Sequence, residues 1–189
     1  MERKNGPWSI IDTEKKYADE FLELNVDQVI KPDGKTGSYA TVQLKSGVAI
    51  LPMDKEGNVY LTRQFRYAIG KESIEVISGG IEEEGDPMEA AKREAEEELG
   101  IMGDEWIELG VFHLETSMIK GPVYLFVVKD LHFTKAHQDS TEDVKPLKKT
   151  FQEALQMVMN NEITHGPSCI LILKTQMALQ QDITKSKSV

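Results

Sequence analysis

The sequence predicts an α/β sandwich built on a mixed sheet and preceded by a small N-terminal β layer. Segments rich in β-branched and aromatic residues come first, one capped helix interrupts them, strands resume, and two helical patterns follow. With 189 residues and 40% hydrophobic content, the chain can form one full domain with a small appendage. We therefore expect an N-terminal layer at 1–44, a main domain at 45–181 and a disordered tail at 182–189.

The predicted strands fall into groups separated by turn residues. Pro32-Asp33-Gly34 marks a turn in the N-terminal layer, and residues 55–58 mark another between two later strands. The expected strands are 9–13, 21–30 and 38–44 in the N-terminal layer, then 48–53, 59–65 and 73–77, and finally 106–111 and 123–129.

The helix between these strand groups has clear boundary signals. Asp86 is a good N-cap, Pro87 suits the first helical position, and Glu89 is placed to complete a capping box. Gly100 is a typical stop at the C-terminal end. The remaining segments are a polar loop at 135–146 and helices at 151–159 and from 168 to about 179.

The net charge of the chain limits the kinds of molecule that it can bind. A formal net charge of -10 argues against nucleic acid or an anionic membrane as a partner, because both require a broad basic face. A phosphate-bearing substrate would need a few arginines or a divalent metal ion held by carboxylates. The single cysteine, Cys169, excludes an internal disulfide, and no apolar run reaches the ~18 residues of a membrane span. We therefore expect a cytoplasmic protein.

Acidic residues cluster on one flank of the capped helix. Met88, Ala91, Ala95 and Leu99 form the apolar stripe, whereas Glu94, Glu97 and Glu98 share another flank at spacings of i, i+3 and i+4. Like charges at this spacing repel, and divalent cations such as Mg²⁺ or Mn²⁺ would relieve the repulsion. The alternative for a bare glutamate cluster is an ordinary solvated helix face.

The surrounding pattern favours the metal site, because residues 79–101 resemble the Nudix box, G-x5-E-x7-R-E-U-x-E-E-x-G-U with U aliphatic. The matching residues are Gly79, Arg93, Glu94, Glu97, Glu98, Gly100 and Ile101. Two positions depart from the box: Gly85 stands where the family has its first glutamate, and Ala95 is smaller than the usual aliphatic residue. The first glutamate mainly supports the arginine in the family, so its loss bears on efficiency more than on reaction type.

The resemblance implies a Nudix-type α/β/α sandwich and a role for each residue of the box. Glu94 and Glu98 are implied as the main metal ligands, Glu97 as a further ligand with a part in catalysis, and Arg93 as an orienting partner for a carboxylate. The backbone carbonyl of Ser78 or Gly79 is a further candidate ligand. Glu84 and Asp86 are the candidates to replace the missing first glutamate.

Outside the box, the chain is similar to the subgroup that hydrolyses ADP-ribose and nucleoside-diphosphate sugars. The resemblance implies that Arg66, with Arg63 second, binds the diphosphate and that Glu75 supports the site. A glutamate in a late loop serves as the base in this subgroup, and Glu142 is our candidate, ahead of Asp139 and Asp143. The alternatives are an exposed sheet arginine for Arg63 and a solvated acidic loop around Glu142.

Aromatic side chains are candidate platforms for a nucleobase. Trp8 resembles the N-terminal aromatic residue of the subgroup, and Tyr67 follows the arginine-rich strand end, although simple packing is the alternative for Trp8. The four histidines, His113, His132, His137 and His165, lack zinc-ligand spacing, and we expect structural or surface roles for them.

Together these features predict Mg²⁺-dependent hydrolysis of ADP-ribose or a nucleoside-diphosphate sugar to a nucleoside monophosphate and a sugar phosphate. Mn²⁺ is a possible substitute. ADP-ribose enzymes of the family commonly carry a proline where this chain has Thr116-Ser117-Met118, which favours nucleotide sugars such as GDP-mannose. The alternative is a non-catalytic Nudix-fold module that senses a nucleotide. The family also implies a homodimer that exchanges the N-terminal layer.

Overall fold

The computed structural model of the chain describes residues 2–82, 85–137 and 143–186. The described residues up to Ser46, together with His113–Pro122, form one compact unit, and the other described residues form a second. The strands are β1 (Arg3–Asn5), β2 (Trp8–Ala18), β3 (Leu22–Ile30), β4 (Thr36–Leu44), β5 (Gly47–Pro52), β6 (Asn58–Arg66), β7 (Lys71–Glu75), β8 (Ile77–Gly80), β9 (Ile101–His113), β10 (Ile119–Lys120), β11 (Pro122–Phe133) and β12 (Lys145–Thr150). The helices are α1 (Pro87–Leu99), α2 (Phe151–Met159) and α3 (Gly166–Ser186), with a short 3-10 turn at Tyr67–Ile69.

The first unit is a single sheet in the order β1-β2-β3-β4-β10. Its first four strands pair antiparallel, and β10 joins the edge parallel to β4. The predicted N-terminal β layer is therefore present, but β2 and β4 are longer than expected, and β1 and β10 were not predicted. The sequence placed residues 113–122 in the main domain, whereas they lie in this unit.

The second unit is built on a mixed sheet in the order β8-β5-β11-β9. β5 pairs parallel with β11 and antiparallel with β8. Both faces of β5 are covered: Val48 and Ile50 pack with the apolar side of α1, whereas Ala49 and Leu51 pack with residues of α2 and α3. This double burial explains why β5 is apolar throughout, and it confirms the predicted α/β/α sandwich.

A second sheet of this unit has the order β12-β6-β7 and carries the arginine-rich strand. The sequence predicted one strand at 73–77, but the chain changes sheets there. β7 pairs with β6 and ends at Glu75, while β8 begins at Ile77 and pairs with β5. Residue 76 therefore marks the passage between the two sheets, which local composition does not reveal.

The boundaries of α1 are those that the sequence predicted. The Asp86 carboxylate accepts hydrogen bonds from the backbone N–H groups of Met88 and Glu89, and Gly100 closes the helix with φ 62°. The Glu89 side chain, expected to complete a capping box, instead forms an ion pair of 2.8 Å with Lys92.

Two further predicted segments, a loop and a disordered tail, differ from the structure at one end. Part of the predicted loop at 135–146 is strand, because β12 begins at Lys145 and pairs with β6. α3 continues to Ser186, so residues 182–186 of the expected disordered tail are helical. α2 has the bounds predicted, and its N-cap Thr150 forms a capping box with Glu153. No described helix is long and apolar enough to cross a membrane.

Candidate active site

Two of the glutamates nominated on α1, Glu94 and Glu98, are largely buried rather than on a solvated helix face. Ala91 and Ala95 are fully buried against the sheet, which fixes the rotation of the helix. The neighbouring flank then carries Glu98, which is 5% exposed, and Glu94, whose side chain is 13% exposed. Glu97 is more accessible, with a side chain 46% exposed. Carboxylates this deeply buried need charge neutralisation, which favours the interpretation of the cluster as a site.

The strand β8 brings its glycines directly against this flank. A methyl group placed at Gly79 would overlap the carboxylate of Glu94, so only glycine allows the present approach of strand and helix. The carbonyl oxygen of Gly80 accepts a hydrogen bond of 3.1 Å from Nη2 of Arg93. Gly79 therefore lies beside Glu94, and Gly80 lies beside Arg93.

Arg93 joins two of the three carboxylates. Its Nη2 lies 2.8 Å from Oε1 of Glu94, and its Nη1 donates to Oε2 of Glu97 at 2.9 Å. Burial alone would lower the pKa of Arg93, but the charges and hydrogen bonds of Glu94 and Glu97 outweigh it and raise the pKa overall. The guanidinium thus orients both carboxylates and relieves their mutual repulsion.

The donor chemistry of this flank fits a hard divalent cation, since carboxylate and carbonyl oxygens are the ligands that such ions prefer. Within residues 2–82, 85–137 and 143–186, however, no three acidic, histidine or cysteine side chains surround a common point. Arg93 contacts two of the side chains on this flank, Glu94 and Glu97.

Arg66 and Glu75 form a second charged group of the same unit. Arg66 ends β6 and binds both oxygens of Glu75, with Nε to Oε1 at 3.0 Å and Nη2 to Oε2 at 2.5 Å. The Glu75 side chain is 3% exposed. Burial alone would raise the pKa of Glu75, but Arg66, His165 and Ser73 outweigh it, and the pKa is lowered overall. Glu75 is therefore a buried anion that fixes the guanidinium of Arg66.

Two residues beside this pair were not among the site residues nominated from the sequence, which predicted a structural or surface role for His165. Nδ1 of His165 lies 3.5 Å from Oε2 of Glu75 and 2.8 Å from Oγ of Ser168. The Ser168 hydroxyl in turn accepts a hydrogen bond from the backbone N–H of Val76. The only local sign of this arrangement is that His165 immediately precedes the Gly-Pro start of α3.

A model of the NUDIX domain matches residues 43–162 of the chain, which is well over half of its length. This chain belongs to the Nudix family. The relatives include an ADP-ribose pyrophosphatase of Bacillus subtilis (strain 168), 26% identical over 174 residues that cover 90% of this chain and 94% of the relative. A GDP-mannose pyrophosphatase of Escherichia coli O1:K1 / APEC is 27% identical over 136 residues, covering 68% of this chain and 71% of the relative.

The fold of this Nudix hydrolase is also that of a solved structure. The crystal structure of an ADP compounds hydrolase superposes with a TM-score of 0.82, at 14% identity, covering 95% of this chain and 98% of the other. Nudix hydrolases generally use divalent metal ions, which agrees with the oxygen donors on α1.

The structure also gives the surroundings of other residues nominated from the sequence of this Nudix enzyme. Arg63 and Arg66 are three residues apart on β6, so their side chains point to opposite faces of the sheet. Tyr67 is 95% exposed in the 3-10 turn, and Trp8 lies in the first unit, where its ring packs edge-on against Tyr39. Glu142, Asp139 and Glu84 lie outside the described residues.

Proposed function

We propose that this Nudix hydrolase cleaves the diphosphate bond of ADP-ribose or a nucleoside-diphosphate sugar, using Mg²⁺ or, in its place, Mn²⁺. The products are a nucleoside monophosphate and a sugar phosphate. The observation that carries the proposal is the buried glutamate flank of α1 held against Gly79 by the packing of the helix on the sheet. The two pyrophosphatase relatives support this substrate class.

Glu94 and Glu98 are the residues that would hold the metal ion, with Glu97 as a further ligand and the backbone at Ser78 or Gly79 as a carbonyl donor. When bound, divalent ions of this kind polarise a phosphoryl group and lower the pKa of a coordinated water. Arg93 orients Glu94 and Glu97 through the contacts described above. Its positive charge also lowers the cost of gathering several carboxylates beside a polyanionic substrate.

Arg66 is proposed to bind the diphosphate. Its guanidinium is held by Glu75 yet remains 39% exposed, so it can present N–H donors to phosphate oxygens. The orientation of Arg63 towards the opposite face of the sheet makes it a weaker candidate for the same ligand.

Glu142 remains our candidate for the residue that deprotonates the attacking water. Supporting contacts come from the segment just before it, where the backbone N–H of His137 donates to the carbonyl of Glu97 and that of Thr134 to Gly100. These bonds fix residues 134–137 at the C-terminal end of α1, and Glu142 follows five residues later in the sequence. A carboxylate within reach of the glutamate flank is what general base catalysis requires.

The experiment is a turnover assay of ADP-ribose, GDP-mannose and other nucleotide sugars, with and without Mg²⁺, coupled to a phosphatase that acts only on the monophosphate products. We expect Glu98→Gln to fold normally and to lower kcat by roughly a hundredfold or more, because it removes one charge from the metal site. Glu96→Gln is the matched control, since Glu96 lies exposed on the same helix. Full activity of Glu98→Gln, or no cleavage of any substrate by the wild-type enzyme, would overturn the proposal.

A further inference from the structure

The start of α3 is fastened to the segment that follows Glu75. The carbonyl oxygen of His165 accepts the first helical hydrogen bond from Cys169 at 3.0 Å, so His165 precedes the helix as its N-cap. Ser168, in the first turn, is fully buried, and its hydroxyl accepts from the N–H of Val76 at 3.0 Å. The imidazole is therefore held at a fixed place beside Glu75.

Within this arrangement, one carboxylate oxygen of Glu75 lies close to both Arg66 and His165. Oε2 of Glu75 lies 2.5 Å from Nη2 of Arg66 and 3.5 Å from Nδ1 of His165. Nδ1 of His165 also lies 2.8 Å from Oγ of Ser168. The imidazole thus bounds the side of the carboxylate that faces α3, while Arg66 bounds the side that faces β6. A carboxylate confined in this way has little freedom to rotate.

The charge state of the imidazole decides how it acts. Burial lowers the pKa of His165 below its usual value of 6.5, the charge of Glu75 opposes this effect, and Arg66 adds to the lowering. The ring is therefore neutral near pH 7, and Arg66 supplies the positive charge that pairs with the Glu75 carboxylate. When the ring is protonated at lower pH, it competes with Arg66 for the same oxygen.

We propose that His165 is a positioning residue: anchored by Ser168, it confines the Glu75 carboxylate and thereby fixes the direction in which Arg66 presents its guanidinium to the diphosphate. This inference rests on the proposed function, because it assigns Arg66 to the substrate. The charged groups that face the imidazole are Glu75 from β7 and Arg66 from β6.

The kinetic test compares two substitutions of one residue. Asn places a polar nitrogen near the position of Nδ1, whereas Leu fills the space without a hydrogen bond. We expect His165→Leu to raise KM about tenfold with kcat within about twofold of wild type, since Arg66 binds substrate and transition state alike. His165→Asn should keep a KM near that of the wild type. We expect KM of the wild type to rise when the pH falls through the lowered pKa of His165, and this rise should be absent from His165→Asn, which does not titrate.

An unchanged KM in His165→Leu, or a pH profile of His165→Asn equal to that of the wild type, would overturn the inference. A purely structural role would lower the thermal midpoint of both variants without separating KM from kcat. A third variant, Arg66→Lys, shows whether the assignment of Arg66 or that of His165 is wrong. If both Arg66→Lys and His165→Leu leave KM unchanged, the assignment of Arg66 to the substrate is wrong. If KM rises in Arg66→Lys but not in His165→Leu, only the role of His165 is rejected.

A second measurement needs neither turnover nor the Leu variant. NMR titration of the His165 ring should give a lower pKa in Glu75→Gln than in the wild-type protein, because the neutral amide no longer stabilises the imidazolium. An equal pKa in the two proteins would show that the ring is not coupled to Glu75 and would overturn the inference. The comparison of the two pKa values can be interpreted even if the wild-type enzyme cleaves none of the substrates tested.

Discussion

Three of the five glutamates of α1, Glu94, Glu97 and Glu98, share one flank but differ in their surroundings. Glu98 and Glu94 are largely buried, whereas Glu97 is half-exposed, and Arg93 pairs with both Glu94 and Glu97. Desolvation makes an ionised carboxylate most costly in the buried positions, so a cation stabilises those two the most. We therefore propose the tightest metal contacts for Glu94 and Glu98 and a more adjustable contact for Glu97.

Gly79 offers a test that separates folding from catalysis. A methyl group there would overlap the carboxylate of Glu94, and the end of a glutamate side chain can rotate away without disrupting the strand. We predict that Gly79→Ala lowers kcat roughly a hundredfold while changing the free energy of unfolding by only about 1 kcal/mol. Urea unfolding and turnover of one preparation measure both quantities.

The matched control is Gly80→Ala, because nothing lies within 4 Å of a methyl group at that position. Its loss of activity should be much smaller. Equal losses in the two variants would show that displacement of Glu94 is not the cause.

The box residues were predictable because their roles depend on spacing along one continuous segment. Helical periodicity alone places Glu94, Glu97 and Glu98 together, and the structure retains that grouping on α1. His165 and Ser168 were not predictable, because their contacts join the start of α3 to β7 and residue 76, which lie about ninety residues earlier in the chain. Local sequence carries no signal of such a contact.

At the scale of elements, the end of α1 is bound to the segment after β11. Gly100 accepts a hydrogen bond of 2.7 Å from the N–H of Thr134, and a methyl group at Gly100 would overlap the carbonyl oxygen of that threonine. Its positive φ adds backbone strain for any side chain. One glycine therefore ends the helix and holds the segment that leads to Glu142.

We predict that Gly100→Ala lowers the free energy of unfolding by about 2 to 3 kcal/mol. Gly57→Ala is the matched control: Gly57 also has a positive φ, of 80°, but open space around the added methyl group. Its cost should be only about 1 kcal/mol, that of the backbone strain. Urea unfolding measures both, and a Gly100 variant no less stable than the Gly57 variant would contradict the proposed overlap.

Helices of this chain were easier to predict than its strands. α1 and α2 carry caps that act through neighbouring residues, so their bounds follow from local sequence. β12 contains three lysines, a composition typical of a loop, yet it pairs along its whole length with β6. Lysines are common on edge strands because they discourage further pairing, and edge strands are therefore hard to tell from loops.

At the scale of the whole molecule, the first unit is the least explained by local patterns. β10 reaches it from a position between β9 and β11, far from β1–β4 in the chain, and joins the edge of the sheet. The predicted boundary at residue 44 identifies the N-terminal portion of this unit but not the returning segment at 113–122.

The same unit exposes large apolar side chains, which suggests a surface for self-association. Ile11, Tyr17 and Phe21 are 46%, 53% and 67% exposed. We propose a homodimer and predict a mass about twice 21.3 kDa by size-exclusion chromatography with light scattering. Phe21→Asp should shift the population towards the monomer, and a wild-type monomer at assay concentration would contradict the proposal.

The measurement that bears most directly on the glutamate flank is anomalous diffraction from crystals soaked in Mn²⁺. Coordination by Glu94 and Glu98 predicts an anomalous peak within about 2.5 Å of their carboxylate oxygens, with the peak absent from Glu98→Gln crystals treated in the same way. Well-diffracting soaked crystals with no peak on that flank of α1, and with both carboxylates facing bulk solvent, would contradict the assignment of these glutamates to a catalytic metal.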